Sequence, residues 1–173
     1  MKKDLLFLFV FIIILLFATE MCKDSSPTEP EPEPTPEQGT NIGNQAVNFT
    51  AKDQGGSNVS LYDYSGKVVL VNMSADWCGP CRNEATHLEA LYDEYKQQGF
   101  QIITVLISGD PAVWGHDYQL TFPVLDDNSE AIWDQYGEGS VPLNLVIDRE
   151  KVIRYKEAGY DEAAIKAVIE KYL

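Results

Sequence analysis

Two cysteines separated by two residues, Cys78-Gly79-Pro80-Cys81, follow an apolar run and open an amphipathic segment. The run, Val68-Val69-Leu70-Val71-Asn72-Met73, reads as a strand buried on both faces, as in a parallel sheet. From Arg82 to Gln98, Ala85, Leu88, Leu91, Tyr92 and Tyr95 recur at helical spacing. A cysteine pair at such a strand-to-helix turn is the redox dithiol arrangement. One turn of helix brings the two sulfurs within bridging reach, so the pair can cycle between dithiol and disulfide. The first sulfur sits at the helix N-terminus, where free N–H groups and the macrodipole favour a thiolate. Cys78 is therefore the expected nucleophile, and Cys81, one turn inside, the expected resolving thiol.

Other uses of the pair compete with this one. A zinc site needs about two more Cys or His ligands, and the chain offers only Cys22, His87 and His116. A structural disulfide across so short a loop adds little by the loop-entropy argument. Two thiols and a histidine could also hold copper. No metal and no cofactor is expected.

The length of 173 residues suits one domain with appendages. Lys2 and Lys3 precede a charge-free apolar run from Leu5 to Ala18, shorter than the roughly 20 residues of a spanning helix. A basic start and a short apolar core make a signal-peptide pattern. Cys22 follows at once and resembles the acylated first residue of a bacterial lipoprotein, although Glu20 and Met21 stand where small residues are usual. An uncleaved anchor or a plain secretory signal is the other reading of residues 1–22. Residues 23–45 contain Glu29-Pro30-Glu31-Pro32-Glu33-Pro34 and almost nothing apolar. They read as a disordered tether, extended at about 3.1 Å per residue.

The folded domain is expected over 46–173. Ala46–Ala51 and Val59–Tyr62 alternate as edge strands around a turn at Gln54–Asn58. Phe100–Ile107 reads as a second buried strand, which makes a right-handed βαβ unit. The long connection after it holds a short helix near Ala112–Tyr118, an extended piece at Pro123–Leu125 and a helix near Ser129–Tyr136. Trp114 and Trp133 read as packing residues, and His116 as exposed. Leu143–Asp148 and Val152–Tyr155 form a hairpin behind Val141-Pro142, where a cis bond would turn the backbone. Gly159-Tyr160-Asp161 breaks the chain before a last helix with Ala164, Ile165, Val168, Ile169 and Leu173 on one face. The net charge of −14 argues against nucleic acid as a partner.

Trp77-Cys78-Gly79-Pro80-Cys81, Val141-Pro142 and the βαβ–ββα order resemble the thioredoxin superfamily over roughly Ala46 to Leu173. The hairpin in front, the α/β insertion before Pro142, and Glu84 resemble its TlpA/ResA-like, membrane-tethered branch. The resemblance implies an α/β fold with a central mixed sheet flanked by helices. It also implies a thiol-disulfide oxidoreductase that is exported, anchored in the cell envelope and monomeric. Its partners would be disulfide-containing client proteins, apocytochrome c among the candidates, and a membrane electron donor. Trp77, Gly79, Pro80, Val141 and Pro142 would meet the client, and Glu84 would influence cysteine ionisation; by its place alone Glu84 reads equally as a solvated first-turn carboxylate, favourable near a helix N-terminus. Thioredoxin's buried aspartate is replaced by Asn72, and its helix proline by Thr86. His87 then reads as a rim residue. Gly-Pro between the cysteines looks like reducing thioredoxins. Oxidation of clients, a copper-handling module on the same fold and a thiol peroxidase are the alternatives; Trp77 beside Cys78 speaks against the last.

Overall fold

The structure is a computed structural model that describes residues 35–173. The apolar run read as a signal peptide or anchor, Cys22 with its expected lipidation, and the expected tether up to Pro34 lie outside the described residues. Among the described residues, no helix is long and apolar enough to cross a membrane.

Residues 38–45 belong to the fold and not to a disordered tether, which corrects the boundary expected at Ala46. Gln38–Gly39 (β1) and Gln45–Ala46 (β2) pair in parallel. The Gly43 N–H donates to the Ile153 carbonyl (2.9 Å), the Ile153 N–H to the Asn44 carbonyl (3.0 Å), and the Ala46 N–H to the Lys151 carbonyl (2.8 Å). Lys156 Nζ reaches the Thr40 carbonyl at 3.1 Å. Glycine, asparagine and glutamine give this segment little to bury. It is fixed by backbone groups that satisfy the edge of a strand more than a hundred residues away.

Thr50–Lys52 (β3) and Asn58–Ser60 (β4) form the expected antiparallel hairpin, tightened by Asp53, which accepts from the Gly55 and Ser57 N–H groups. Both strands are shorter than the alternation suggested. Leu61–Tyr64 is a 3-10 turn, because Ser60 starts a reciprocal cap: Tyr62 N–H donates to Ser60 Oγ and Ser60 N–H to Asp63 Oδ2. There follow β5 (Val68–Ala75), α1 (Gly79–Tyr95), β6 (Phe100–Ser108), α2 (Pro111–Asp117), β7 (Val124–Asp126), α3 (Ala131–Tyr136), β8 (Leu143–Ile147), β9 (Ile153–Ala158) and α4 (Glu162–Tyr172). A 3-10 turn closes α1, and Gly99 then takes φ 91°, the left-handed end that glycine permits. Helix α1 runs through Thr86 without a break.

The main sheet has the order β7-β6-β5-β8-β9. β6 is parallel to β5 and β7, and β8 is antiparallel to β5 and β9. All of β5 is buried, and its alternate residues feed two cores. Val68 and Leu70 pack with Ala85, Leu88 and Leu91 of α1 and with Ile165 and Ile169 of α4. Val69, Val71 and Met73 pack with Phe49, Leu61, Ile132 and Tyr136 on the other face. Trp114 joins the first core and Trp133 borders the second, as packing residues. The insertion thus adds a parallel edge strand to the sheet and a helix that closes the second core.

Candidate active site

β5 ends at Ala75, and the chain turns through Asp76 and Trp77 into α1. Gly109 makes this turn possible from the neighbouring strand end. It has φ 115°, and a Cβ there would stand 2.8 Å from that of Asp76. Ser108 Oγ donates to Asp76 Oδ1 (3.0 Å), and Arg82 Nη1 donates to the Asp76 carbonyl (2.6 Å). Trp77 is left projecting, 66% exposed.

Cys78 is the N-cap of α1, and its Sγ accepts from the Cys81 N–H at 3.2 Å. Pro80 occupies the first turn, where its missing N–H costs no helix bond. Cys78 and Cys81 are joined as a disulfide, with Cα atoms 5.2 Å apart. Cys81 is fully buried and Cys78 is 5% exposed. The Val141–Pro142 peptide is cis. It places the Val141 carbonyl oxygen 3.6 Å from Cys78 Sγ. The Gly159 N–H holds the loop by donating to the Pro142 carbonyl (2.7 Å). The Val141 carbonyl thus adjoins the outer sulfur, with Pro142 next to it in the chain, Gly79 and Pro80 opening the helix behind it, and Trp77 exposed one residue before it.

Glu84 is one helical turn beyond Cys81 and fully buried. It is not a solvated first-turn carboxylate. Neither carboxyl oxygen has a hydrogen-bond partner. Burial pushes its pKa up to about 8; the nearby Asn144 and Asn72 amides oppose this without completing a bond to it. Asn72 and Asn144 face each other in the β5–β8 ladder. Asn72 Nδ2 donates to Asn144 Oδ1 (3.2 Å), and Ser74 and Thr104 hydroxyls donate to Asn72 Oδ1 (2.8 and 3.4 Å). Asn144 Nδ2 in turn donates to the Gly159 carbonyl (2.9 Å). A polar seam therefore runs from the central strand to the chain break before α4.

Ser74, Thr104 and Asn144 of this seam, and Tyr160 at the chain break next to it, escaped sequence reasoning. Asn144 interrupts a buried apolar run opposite Asn72, which is the signal that could have found it. Tyr160 reads in sequence only as part of a breaker; its hydroxyl is buried and has no partner. His87 is exposed and stacks on Tyr160, ring centroids 6.0 Å apart. His116 is exposed at the end of α2. Among the described residues, no three His, Cys, Asp or Glu side chains gather as a metal site.

Comparison with known proteins agrees with this geometry. The model of the AhpC/TSA family matches residues 42–156. The thiol-disulfide oxidoreductase ResA of Halalkalibacterium halodurans is 32% identical over 133 residues, 74% of this chain and 75% of that protein. ResA of Bacillus thuringiensis is 37% identical over 112 residues, 63% of this chain and 65% of that protein. Among solved structures, a Chlorobium tepidum protein described as the thiol:disulfide interchange protein DsbE superposes with TM-score 0.68 at 28% identity, covering 76% of this chain and 94% of that one. The thioredoxin domain of a Bacteroides vulgatus thiol-disulfide oxidoreductase gives TM-score 0.66 at 26% identity, over 75% and 98% of the two chains. With a cysteine pair at the head of α1 and a cis-proline against its outer sulfur, this chain belongs to the AhpC/TSA family of thioredoxin-like proteins and is a thiol-disulfide oxidoreductase.

Proposed function

We propose that the protein is exported, tethered to a membrane through its N-terminus, and reduces disulfides of client proteins with the Cys78/Cys81 dithiol. The leader pattern, Cys22 and the proline-glutamate stretch support the tether, with Cys22 as the lipid attachment point. Gly79-Pro80 between the cysteines supports the reducing direction. The observation that carries the reading is the Val141 carbonyl beside Cys78 Sγ, next to a cis-proline. An extended client segment can lie along that backbone with its own sulfur in line with Cys78.

In this reaction the Cys78 thiolate attacks one client sulfur, and the other leaves as a thiolate that takes a proton from water. Glu84, whose pKa of about 8 leaves a fraction ionised near neutral pH, accepts the proton of Cys81 as carboxylate and gives it back when the disulfide is re-reduced. The Cys81 sulfur then bonds to Cys78 and displaces the client sulfur held there as a thiolate, which likewise takes a proton from water. Two electrons pass to the client, and the Cys78–Cys81 disulfide is left to be reduced by a membrane donor. Trp77 offers the client an apolar surface.

Substitution Cys81→Ser removes the resolving thiol, so mixed disulfides on Cys78 should accumulate and be recoverable from the cell envelope, with apocytochrome c the first client to look for. Insulin reduction by the unaltered protein should proceed without added copper. A Cys81→Ser protein that captures nothing, together with an unaltered protein that is inert to insulin, would refute client reduction. Mass spectrometry showing an unmodified Cys22 in a soluble exported chain would refute lipidation and leave the chemistry standing.

A further inference from the structure

The N-terminal segment covers the outer edge of β9 only in part. Gly43 and Asn44 pair with Ile153, and among the described residues this backbone pairing goes no further along the strand. Beyond it, Lys156 and Ala158 stand opposite Leu145 and Leu143 of β8. The Gly159 N–H bonds to Pro142 in the same ladder, so antiparallel alternation turns the N–H and C=O groups of Lys156 and Ala158 away from β8. Among the described residues, these four groups form no backbone hydrogen bond. Beside them lies a cavity of about 520 Å³, lined in part by Ile42, Glu138, Gly139, Leu143, Lys156 and Ala158. Ile42 is 59% exposed, one of three large apolar side chains left open among the described residues. Lys156 is the reverse: its side chain is 7% exposed, and its Nζ is held by the Thr40 carbonyl (3.1 Å) and Glu138 (3.2 Å).

We propose that this open edge and its cavity dock an extended segment of the client protein, which adds to β9 as a further strand and places one apolar side chain in the cavity. This rests on the reading that the dithiol reduces client proteins.

The site is continuous with the dithiol. Gly139, in the cavity lining, precedes Val141 by two residues, so it lies at most about 7 Å of backbone from the residue whose carbonyl adjoins Cys78 Sγ. A client cysteine bonded to Cys78 therefore has the cavity within about three residues of its own chain. Free edge groups give main-chain hydrogen bonds whatever the client's sequence, and the cavity gives the choice of side chain. The stem of Lys156 adds to the apolar lining, and its charge is already matched by Glu138. Glu157 alternates to the other face of β9, where its charge acts on Tyr155. A charged client side chain would lose its water beside a pair that is already matched, whereas an apolar one loses nothing. Only an extended chain can pair with a strand edge. The site therefore selects disulfides in unfolded segments over those on folded surfaces.

The probe is a short, unstructured peptide whose cysteine is joined in a disulfide to a small aromatic thiol, with leucine or glycine about three positions from that cysteine. The full chain should reduce the leucine peptide with a KM about tenfold below that of the glycine peptide, the scale of one partly buried apolar side chain. Ile42→Lys, a change at an exposed position, should erase that difference. With the Cys81→Ser chain, Cys78 attacks the peptide sulfur, the aromatic thiolate leaves, and the peptide stays bound as a mixed disulfide. In that adduct the Lys156 and Ala158 amides should exchange with solvent at least about tenfold more slowly than in the free protein. Unchanged exchange at both amides would overturn the proposal. So would equal KM values for the two peptides, or a leucine preference that survives Ile42→Lys. Amides already protected in a free protein that sediments as a dimer would assign the edge to a second copy, and overturn it too. If the unaltered protein reduced a small aromatic disulfide but neither peptide, client reduction itself would fall, and this proposal with it.

Discussion

Asp148 and Glu84 are both carboxylates sealed from water, at 2% and 0% exposure, and they are held in opposite ways. Asp148, in the turn between β8 and β9, accepts from the Glu150 N–H (3.0 Å), the Val152 N–H (2.8 Å) and Arg154 Nε. Its charge is matched and its lone pairs are used. Glu84 has no hydrogen bond and no cation beside it. The first arrangement closes a turn. The second keeps a proton close to neutral pH, beside a sulfur that must lose one. Burial alone does not separate a structural acid from a functional one; its partners do.

The largest effect that tests this contrast is on stability at Asp148. Asp148→Ala leaves two backbone N–H groups and one guanidinium without their acceptor, at about 1–3 kcal/mol for each buried group left unsatisfied. A loss of roughly 3 kcal/mol is expected, read as a lower urea midpoint at unchanged slope. Disulfide exchange by the folded fraction should be unaffected. A loss below about 0.5 kcal/mol, the scale of an ordinary surface substitution, would dissolve the comparison from the Asp148 side.

The next effect is a pH dependence at Glu84. Its folded pKa, about 8, lies above the ordinary carboxyl value. Between the two, the folded protein holds a proton that the unfolded chain has released. Folding is therefore favoured below the unfolded value, and that contribution drains away as pH rises through the folded one. The slope reaches at most about 1.4 kcal/mol per pH unit. Glu84→Gln should flatten the stability curve between about pH 4.5 and 8 relative to the unaltered protein, and it should slow client reduction. Parallel curves would mean that Glu84 is not held as a buried acid.

The sequence made much of this legible, because the relevant signals are local. The Val68–Met73 run, the cysteine spacing and the helical repeat after Cys81 predict β5, α1 and the turn between them. Glu84 is singled out only by the family resemblance, and its burial comes from the helix face that it shares with Cys81, Ala85 and Leu88. What stayed hidden is set by distant partners. Residues 38–45 look like tether because they carry no apolar pattern, yet Ile153, Lys151 and Lys156 hold them. Asn144 and Tyr160 matter only because antiparallel pairing brings one opposite Asn72, and a chain break brings the other under His87. No periodicity encodes that meeting.

The smallest effect on stability is expected at Trp77, which sits on the same turn as the buried acid's cysteine pair but on its solvent side. At 66% exposure it contributes little to either core. Trp77→Ala should change stability by no more than about 0.5 kcal/mol, as surface substitutions usually do. A client laid along Val141 would lose an aromatic anchor, and truncating such an anchor commonly costs more than about 1 kcal/mol of binding. Client reduction should then slow by about fivefold at low client concentration through a weaker KM, on the order of that energy. Reduction of a small aromatic disulfide, which needs no extended docking, should keep its rate. The two substrates separate the roles: Glu84→Gln slows both because it acts on the sulfur chemistry, whereas Trp77→Ala slows only the protein client. Equal slowing of both substrates by Trp77→Ala would mean that the indole shapes the dithiol and not the docking surface.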